Sequence, residues 1–199
     1  MARPRNFDEY SVLDAVADAF WMHGYDGTST RDLVQCTGLT QPSLYNAFGD
    51  KRALFLRALD HYLENTLRER IQRLESSMMP SRAITAFFRE IVERSVSDEH
   101  RRGCMLVNAA LGASPEDEEF RGLIAEEVSL MRAFFERCMK AGLKSGDIER
   151  VMPAEAAATS LLAVLLGVRV LARVDPKPAL LTGAVAPTLA MLKLPPLSG

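Results

Sequence analysis

Between Gly38 and Gly49 the chain sets Gln41, Pro42, Ser43, Tyr45 and Asn46 close together. A glutamine amide both donates and accepts, and so matches the N6 and N7 edge of adenine in a major groove. A proline ring edge suits a thymine methyl, and the hydroxyl or amide groups of Ser43, Tyr45 and Asn46 can bond base edges or phosphate oxygens. Lys51 follows one turn beyond, where an ammonium would meet a phosphate. Leu44 and Phe48, four residues apart, would share the inner face of a helix and leave Gln41, Tyr45 and Asn46 outside. A polar helical hairpin with no partner satisfies the same pattern, and the residues alone leave both readings open.

The second reactive segment is Arg101-Arg102-Gly103-Cys104-Met105-Leu106-Val107-Asn108. Two neighbouring arginines and the start of a helix would favour the thiolate of Cys104, the reactive form of a thiol. A small, well-packed buried cysteine fits the segment equally. Cys36, Cys104 and Cys138 are too widely spaced for a disulfide framework or a CxxC metal pair, which points to a reducing, cytoplasmic compartment. His61 and His100 stand apart with no HxxxH spacing, so no metal site and no cofactor is expected. GxSxG, HExxH and a glycine-rich phosphate loop are absent, which disfavours the alternative of a helical enzyme or small-molecule-binding protein without DNA binding.

The elements that must carry these residues are helical throughout. Leu13, Val16, Ala17 and Phe20 on one face, with Asp14 and Asp18 on another, predict an amphipathic helix over about 8–24. Asp26 to Thr30 is rich in capping residues, and short helices follow over 30–37 and 41–48, closed by Gly38 and Gly49. Pro42 lies near a first turn, where its missing N–H costs little. One long helix is expected from 50 to 74, then others over 82–96, 104–111, 116–142, 154–173 and 178–192. The apolar run 156–168 is shorter than the roughly 20 residues that span a bilayer, so no membrane segment is expected.

Between Pro153 and Leu192 the charged residues are Glu155, Arg169, Arg173, Asp175 and Lys177. Helices apolar around so much of their circumference are buried on several sides, which predicts a twofold homodimer through 154–192, unless they simply fill a monomer core. Phe87, Phe88, Met105, Leu106, Phe134, Phe135 and Met139, with Cys104, are candidates to line a pocket for a small apolar or aromatic effector, and plain core packing accounts for any single one of them equally.

Composition sets the frame. The chain has 199 residues, 48% of them hydrophobic and 25% charged, with a net charge of −2. Disorder is excluded, and a core without covalent staples is within reach. The acidic balance speaks against phosphate binding at face value. Residues 1–60 hold six basic and eight acidic groups, but Arg3, Arg5, Arg31, Lys51 and Arg52 cluster at the start and at the ends of the reading segment, whereas Asp14 and Asp18 share the first helix. The charge therefore predicts few phosphate contacts per head and weak non-specific binding.

Thr28-Ser29-Thr30-Arg31-Asp32-Leu33, Thr37-Gly38-Leu39-Thr40-Gln41-Pro42-Ser43-Leu44-Tyr45-Asn46-Ala47-Phe48 and Asp50-Lys51-Arg52-Ala53-Leu54-Phe55 together resemble the DNA-binding domain of the TetR family of transcriptional regulators. The resemblance implies an all-α fold with an N-terminal three-helix helix-turn-helix domain over 1–56. A larger helical domain for effector binding and dimerisation would follow over 57–199. It implies that Arg31 and Gln41 read base edges and that Pro42 contacts a methyl, while Thr30, Thr40, Ser43, Tyr45 and Lys51 hold the backbone of operator DNA. Asn46 and Ala47 depart from the larger side chains of the similar recognition helix, so the operator sequence does not carry over. The Gly-Cys-x-x-x-Asn stretch at 103–108 resembles that of a subset in which a cysteine responds to electrophiles.

Overall fold

The computed structural model describes residues 7–114 and 116–197; Arg3 and Arg5 lie outside them. The described residues form ten α-helices and one π-helical turn, with no strand, so the fold is all-α. The chain divides into two compact units, Met1–Arg68 and Glu69–Gly199.

In the first unit α1 (Glu9–Gly27) begins where the Asp8 carboxylate accepts the backbone N–H groups of Tyr10 and Ser11. The sequence predicts its end at Gly24. The helix instead kinks there, at φ +75°, and makes one more turn, closed by the Thr28 hydroxyl donating to the Gly24 carbonyl at 2.7 Å. Ser29 and Asp32 form a capping box at the start of α2 (Thr30–Thr37), and Gly38, at φ +68°, ends it with its N–H on the Val34 carbonyl. Thr40 caps α3 (Gln41–Phe48), and Asp50 caps α4 (Lys51–Leu63) by accepting the Ala53 N–H at 2.8 Å. Val16, Phe20, Leu33, Leu44, Phe48, Leu54 and Phe55 fill the core. The division falls after Arg68 because α4 buries its apolar side against α1. The seam is reinforced by Trp21 against Tyr62, by the Glu9–Arg57 ion pair, and by the His61 ring 2.7 Å from Asp14.

The single long helix expected from 50 to 74 is interrupted. Glu64–Arg68 adopts π geometry, and α5 (Glu69–Ser77) resumes the regular turn. The Thr66 hydroxyl donates to the Tyr62 carbonyl at 2.6 Å, and this side-chain competition with the backbone ladder accompanies the widened turn.

The second unit packs α6 (Pro80–Ser97), α8 (Glu118–Ser145), α9 (Ala154–Val174) and α10 (Pro178–Met191) around its core, with α7 (Met105–Gly112) against α8 and α9. Met79 offers no side-chain cap to α6. Asp147, from the turn after α8, supplies one by accepting the Ser81 N–H at 2.7 Å and its hydroxyl at 2.9 Å. Glu90 on α6 receives both Arg70 and Arg73 of α5. At the chain's end Leu192 and Leu194 are buried, and the Thr85 hydroxyl donates to the Pro195 carbonyl at 2.9 Å.

By length and hydropathy α9 is able to cross a membrane, since the helix runs well past the apolar stretch read from the sequence. Its Ala157, Leu161, Leu165, Val168 and Ala172 are nevertheless buried against α6, α8 and α10. Helices of this kind are ordinary in the core of a packed bundle.

Candidate nucleic-acid interface

Leu44 and Phe48 are buried, and they fix the rotation of α3 so that Gln41, Pro42, Ser43 and Asn46 are exposed. Pro42, Ser43 and Asn46 lie away from the Leu44–Phe48 stripe, whereas Gln41, three and seven residues before those two, is exposed because it begins the helix. Arg31 is exposed in the first turn of α2, and Thr40 is exposed at the start of α3. Thr30 and Tyr45 are brought together: the hydroxyl and the phenol lie 2.8 Å apart, joining α2 to α3. The Thr40 hydroxyl accepts the Ser43 N–H at 3.4 Å and donates to the Ser43 hydroxyl at 2.9 Å, so part of Ser43's bonding capacity is spent on the cap. Gly49 is needed after α3 because φ is +90° and a Cβ would come within 3.0 Å of Ala53 Cβ.

The Lys51 ammonium lies 4.6 Å from the centre of the Tyr25 ring. Tyr25 escaped the reading of the sequence because only the fold brings together residues at the ends of α1 and α4. Its phenol is pushed up from its ordinary value by burial and by the nearby Asp50 charge, so it stays a neutral hydroxyl.

The second reactive segment is a braced turn. Gly103 has φ +71°, and a Cβ there would lie 3.1 Å from Arg173 Cβ and 3.3 Å from the Arg169 carbonyl oxygen, so a side chain would push the turn off α9. The Asn108 amide donates to the Arg102 carbonyl at 2.8 Å. Arg102 itself turns to Asp98, through its backbone N–H at 2.7 Å and Nε at 3.1 Å. The largest charge acting on the thiol comes from elsewhere in the chain. Cys104, at the cap of α7, faces Arg169, a guanidinium of α9 only 7% exposed. Burial alone would push the Cys104 thiol up. The Arg169 charge and hydrogen bond, with the N–H groups of Val107 and Leu106, outweigh burial and hold it below the ordinary thiol value. Cys138 is the opposite case, pushed up by burial to about 12.

Phe87, Phe88, Phe134 and Phe135 pack on one another with ring centres 5.2–6.3 Å apart, and Met105, Leu106 and Met139 are buried as well. They fill space rather than enclose it. A cleft of about 590 Å³ lies instead between α7 and the first half of α8, with Ala110, Ala113, Arg121, Ile124, Ala125 and Val128 in its walls. Among the described residues no three His, Cys, Asp or Glu side chains converge as a metal site would need. His61 is taken up by Asp14 and Asn65.

The outer face of α9 carries exposed Ala156, Thr159, Ala163, Gly167, Val170 and Val174, and α10 exposes Ala179, Leu180, Gly183, Ala186, Ala190 and Met191. Both rows follow helical spacing and are made largely of small apolar side chains.

Residues 12–58 match the family described as "Bacterial regulatory proteins, tetR family", and residues 80–186 match "Tetracyclin repressor-like, C-terminal domain". The chain is 34% identical over 142 residues to the HTH-type transcriptional regulator YezE of Bacillus subtilis, covering 71% of this chain and 73% of that one. It is 33% identical over 140 residues to the HTH-type transcriptional repressor ComR of Escherichia coli, covering 69% and 64%. Among solved structures, a cysteine-substituted TetR family regulator CifR, complexed with 26-bp double-stranded operator DNA, superposes with a TM-score of 0.84. It shares 36% identity and covers 94% of this chain and 98% of that one.

Proposed function

This chain belongs to the tetR family of bacterial regulatory proteins, and from that membership we propose that it is a sequence-specific, effector-released repressor that binds a palindromic operator as a homodimer in the cytoplasm. As a member of a family of transcriptional regulators it is not an enzyme. The observation that carries the reading is the outward row of α3, held in place by buried Leu44 and Phe48 and by the Thr30–Tyr45 bond. In the proposed assignment Gln41 and Arg31 read base edges, Pro42 meets a thymine methyl, and Asn46 reads or borders the same bases. Thr30, Thr40, Ser43, Tyr45 and Lys51 hold phosphates. Residues 1–56 would carry DNA reading and 57–199 effector binding and dimerisation.

The open rows of α9 and α10 support dimerisation through 154–192. Small side chains let two helices approach closely, and an apolar face of this extent is costly to leave in water. The effector is proposed to be small and apolar or aromatic. To meet Phe87, Phe88, Met105, Phe134, Phe135 and Met139 it must part side chains that now pack together. Its coupling to DNA affinity would be about 1–3 kcal/mol, as is usual between two sites.

A second mode of release is supported by Arg169, whose charge and hydrogen bond hold the Cys104 thiol below its ordinary value. The Gly-Cys-x-x-x-Asn stretch belongs, in this reading, to the electrophile-responsive subset. The sulfur would bond the β-carbon of an α,β-unsaturated carbonyl compound while its α-carbon takes a proton from water. Cys104→Ser should then abolish electrophile-induced loss of DNA binding; an unchanged response would remove this mode.

The main reading is tested by selecting bound duplexes from a random pool and titrating affinity against salt. A palindromic consensus with salt-dependent affinity is expected. Failure to enrich any palindrome, with no salt dependence, would defeat the proposal.

A further inference from the structure

We infer that Tyr25 is a positioning residue for phosphate binding, its ring holding the Lys51 ammonium where the DNA backbone passes the start of α4. The inference rests on the reading that Lys51 meets a phosphate. The ammonium lies 4.6 Å from the ring centre, within the range of an ammonium–aromatic attraction. The ring is itself held: it stacks on Phe20, with centres 6.1 Å apart and planes 21° apart, and it meets Phe55 edge-on at 5.1 Å. Both phenylalanines are buried. The left-handed Gly24 just before Tyr25 turns the chain back so that an α1 residue reaches α4.

A lysine on a flexible four-carbon stem loses side-chain entropy when it fixes on a phosphate. A carboxylate partner would pre-order the ammonium but also neutralise it. An aromatic ring orders it and leaves the full charge for the DNA. In a head with more acidic than basic groups, each remaining cation has to act at full strength. The single pairing at Lys51 thus does what a richer basic surface would achieve by number.

The full-length chain is titrated with a random-sequence duplex and with a selected operator at several salt concentrations. Tyr25→Leu should weaken both complexes about two- to five-fold per head. It should also flatten the dependence of log affinity on log salt toward that of Lys51→Ala. Tyr25→Phe, which keeps the ring and its packing, should restore both. In the Lys51→Ala background Tyr25→Leu should add nothing.

An equal loss in that background, or a Tyr25→Phe as weak as Tyr25→Leu, would overturn the inference. Should Tyr25→Leu fail to fold, fluorinated phenylalanines at position 25 replace it. Affinity should fall with each added fluorine as the ring face loses its negative potential, and a flat series would overturn the inference. If Lys51→Ala itself changes neither affinity nor salt dependence, the phosphate reading of Lys51 falls too. If Lys51→Ala weakens binding and Tyr25→Leu does not, only the role of Tyr25 is lost.

Discussion

The Tyr45 phenol oxygen lies 2.8 Å from the Thr30 hydroxyl, so the outward-facing helix is tied at its middle to the start of the helix before it. The bond holds two groups assigned to the DNA backbone at one spacing before any DNA arrives. Tyr45→Phe removes it without changing the ring. The first unit should lose about 0.5–1.5 kcal/mol of stability in urea unfolding, the usual net worth of such a bond. Thr30→Val combined with Tyr45→Phe should cost less than the two single losses added together, because they remove the same interaction.

Gln41 and Lys51 should fail in different ways. Gln41→Ala is expected to cost about 1–3 kcal/mol on the selected operator and little on a random duplex, since it deletes a base-edge contact. Lys51→Ala should weaken both to a similar degree and reduce the salt slope by about one per head. A gel-shift titration on the two duplexes separates these patterns.

Two glycines are set by space. At Gly103 an alanine meets both an unfavourable φ of +71° and the backbone of α9, and we expect Gly103→Ala to cost more than about 1 kcal/mol in thermal or urea unfolding. At Gly142 a Cβ would come within 2.5 Å of the Ile148 side chain. Gly142→Ala should cost about 1–3 kcal/mol through overpacking, and Gly142→Ala with Ile148→Val should recover part of it.

Alkylation should distinguish the thiols. Cys104 is held below its ordinary value by Arg169 and the α7 amides, so its iodoacetamide rate should rise with pH earlier than that of a free thiol; Cys138, pushed up to about 12, should stay inert in the folded chain. Arg169→Met should move the Cys104 profile to higher pH. The sign for stability follows from linkage. An acid whose folded value is lowered contributes stability above its unfolded value and loses it as pH falls through the folded one. The Cys104 contribution should therefore be fully present above the ordinary thiol value and be lost only as pH falls through the lowered folded one. Comparing the pH dependence of unfolding for the parent chain and Cys104→Ser checks this.

A charge placed on the open row of α9 should prevent association. Ala163→Arg and Gly167→Glu are expected to give monomers in sedimentation with helix content unchanged, and to weaken operator binding by at least ten-fold because the two half-sites are no longer linked. A dimer that persists in both variants would place the interface elsewhere.

Much of this arrangement was legible in the residues. The helices around Leu13, Leu44 and Phe134 followed from apolar spacing, and the capping residues of 26–30 marked the start of α2, where the structure picks out Ser29 as the cap. Leu44 and Phe48 marked the inner side of α3, and Gln41 and Asn46 are exposed as read; Tyr45, expected outside with them, is half-buried where it meets Thr30. What stayed hidden depended on distance along the chain. No local pattern shows that Arg169 reaches Cys104, that Asp147 caps α6, or that Lys51 finds Tyr25. The π turn at Glu64–Arg68 was equally invisible, because a widened turn keeps the apolar period that signals a helix. The phenylalanines read as candidates to line a pocket are fully buried against one another. Spacing cannot tell a side chain that lines a space from one that fills it.

The two long-range bonds of α6 also bear on the order in which the chain acquires structure during synthesis. Ser81 waits for Asp147 and Thr85 for Pro195, so these contacts of α6 form only after residue 195 has left the ribosome. The caps of α1 to α4 are Asp8, Ser29, Thr40 and Asp50, all within the unit that ends at Arg68, and N-terminal units commonly fold first as they emerge. A nascent chain would thus present a finished reading helix while α6 still lacked its distant partners. Ribosome-bound chains stalled at increasing lengths should show protease protection of 9–63 well before that of 80–97.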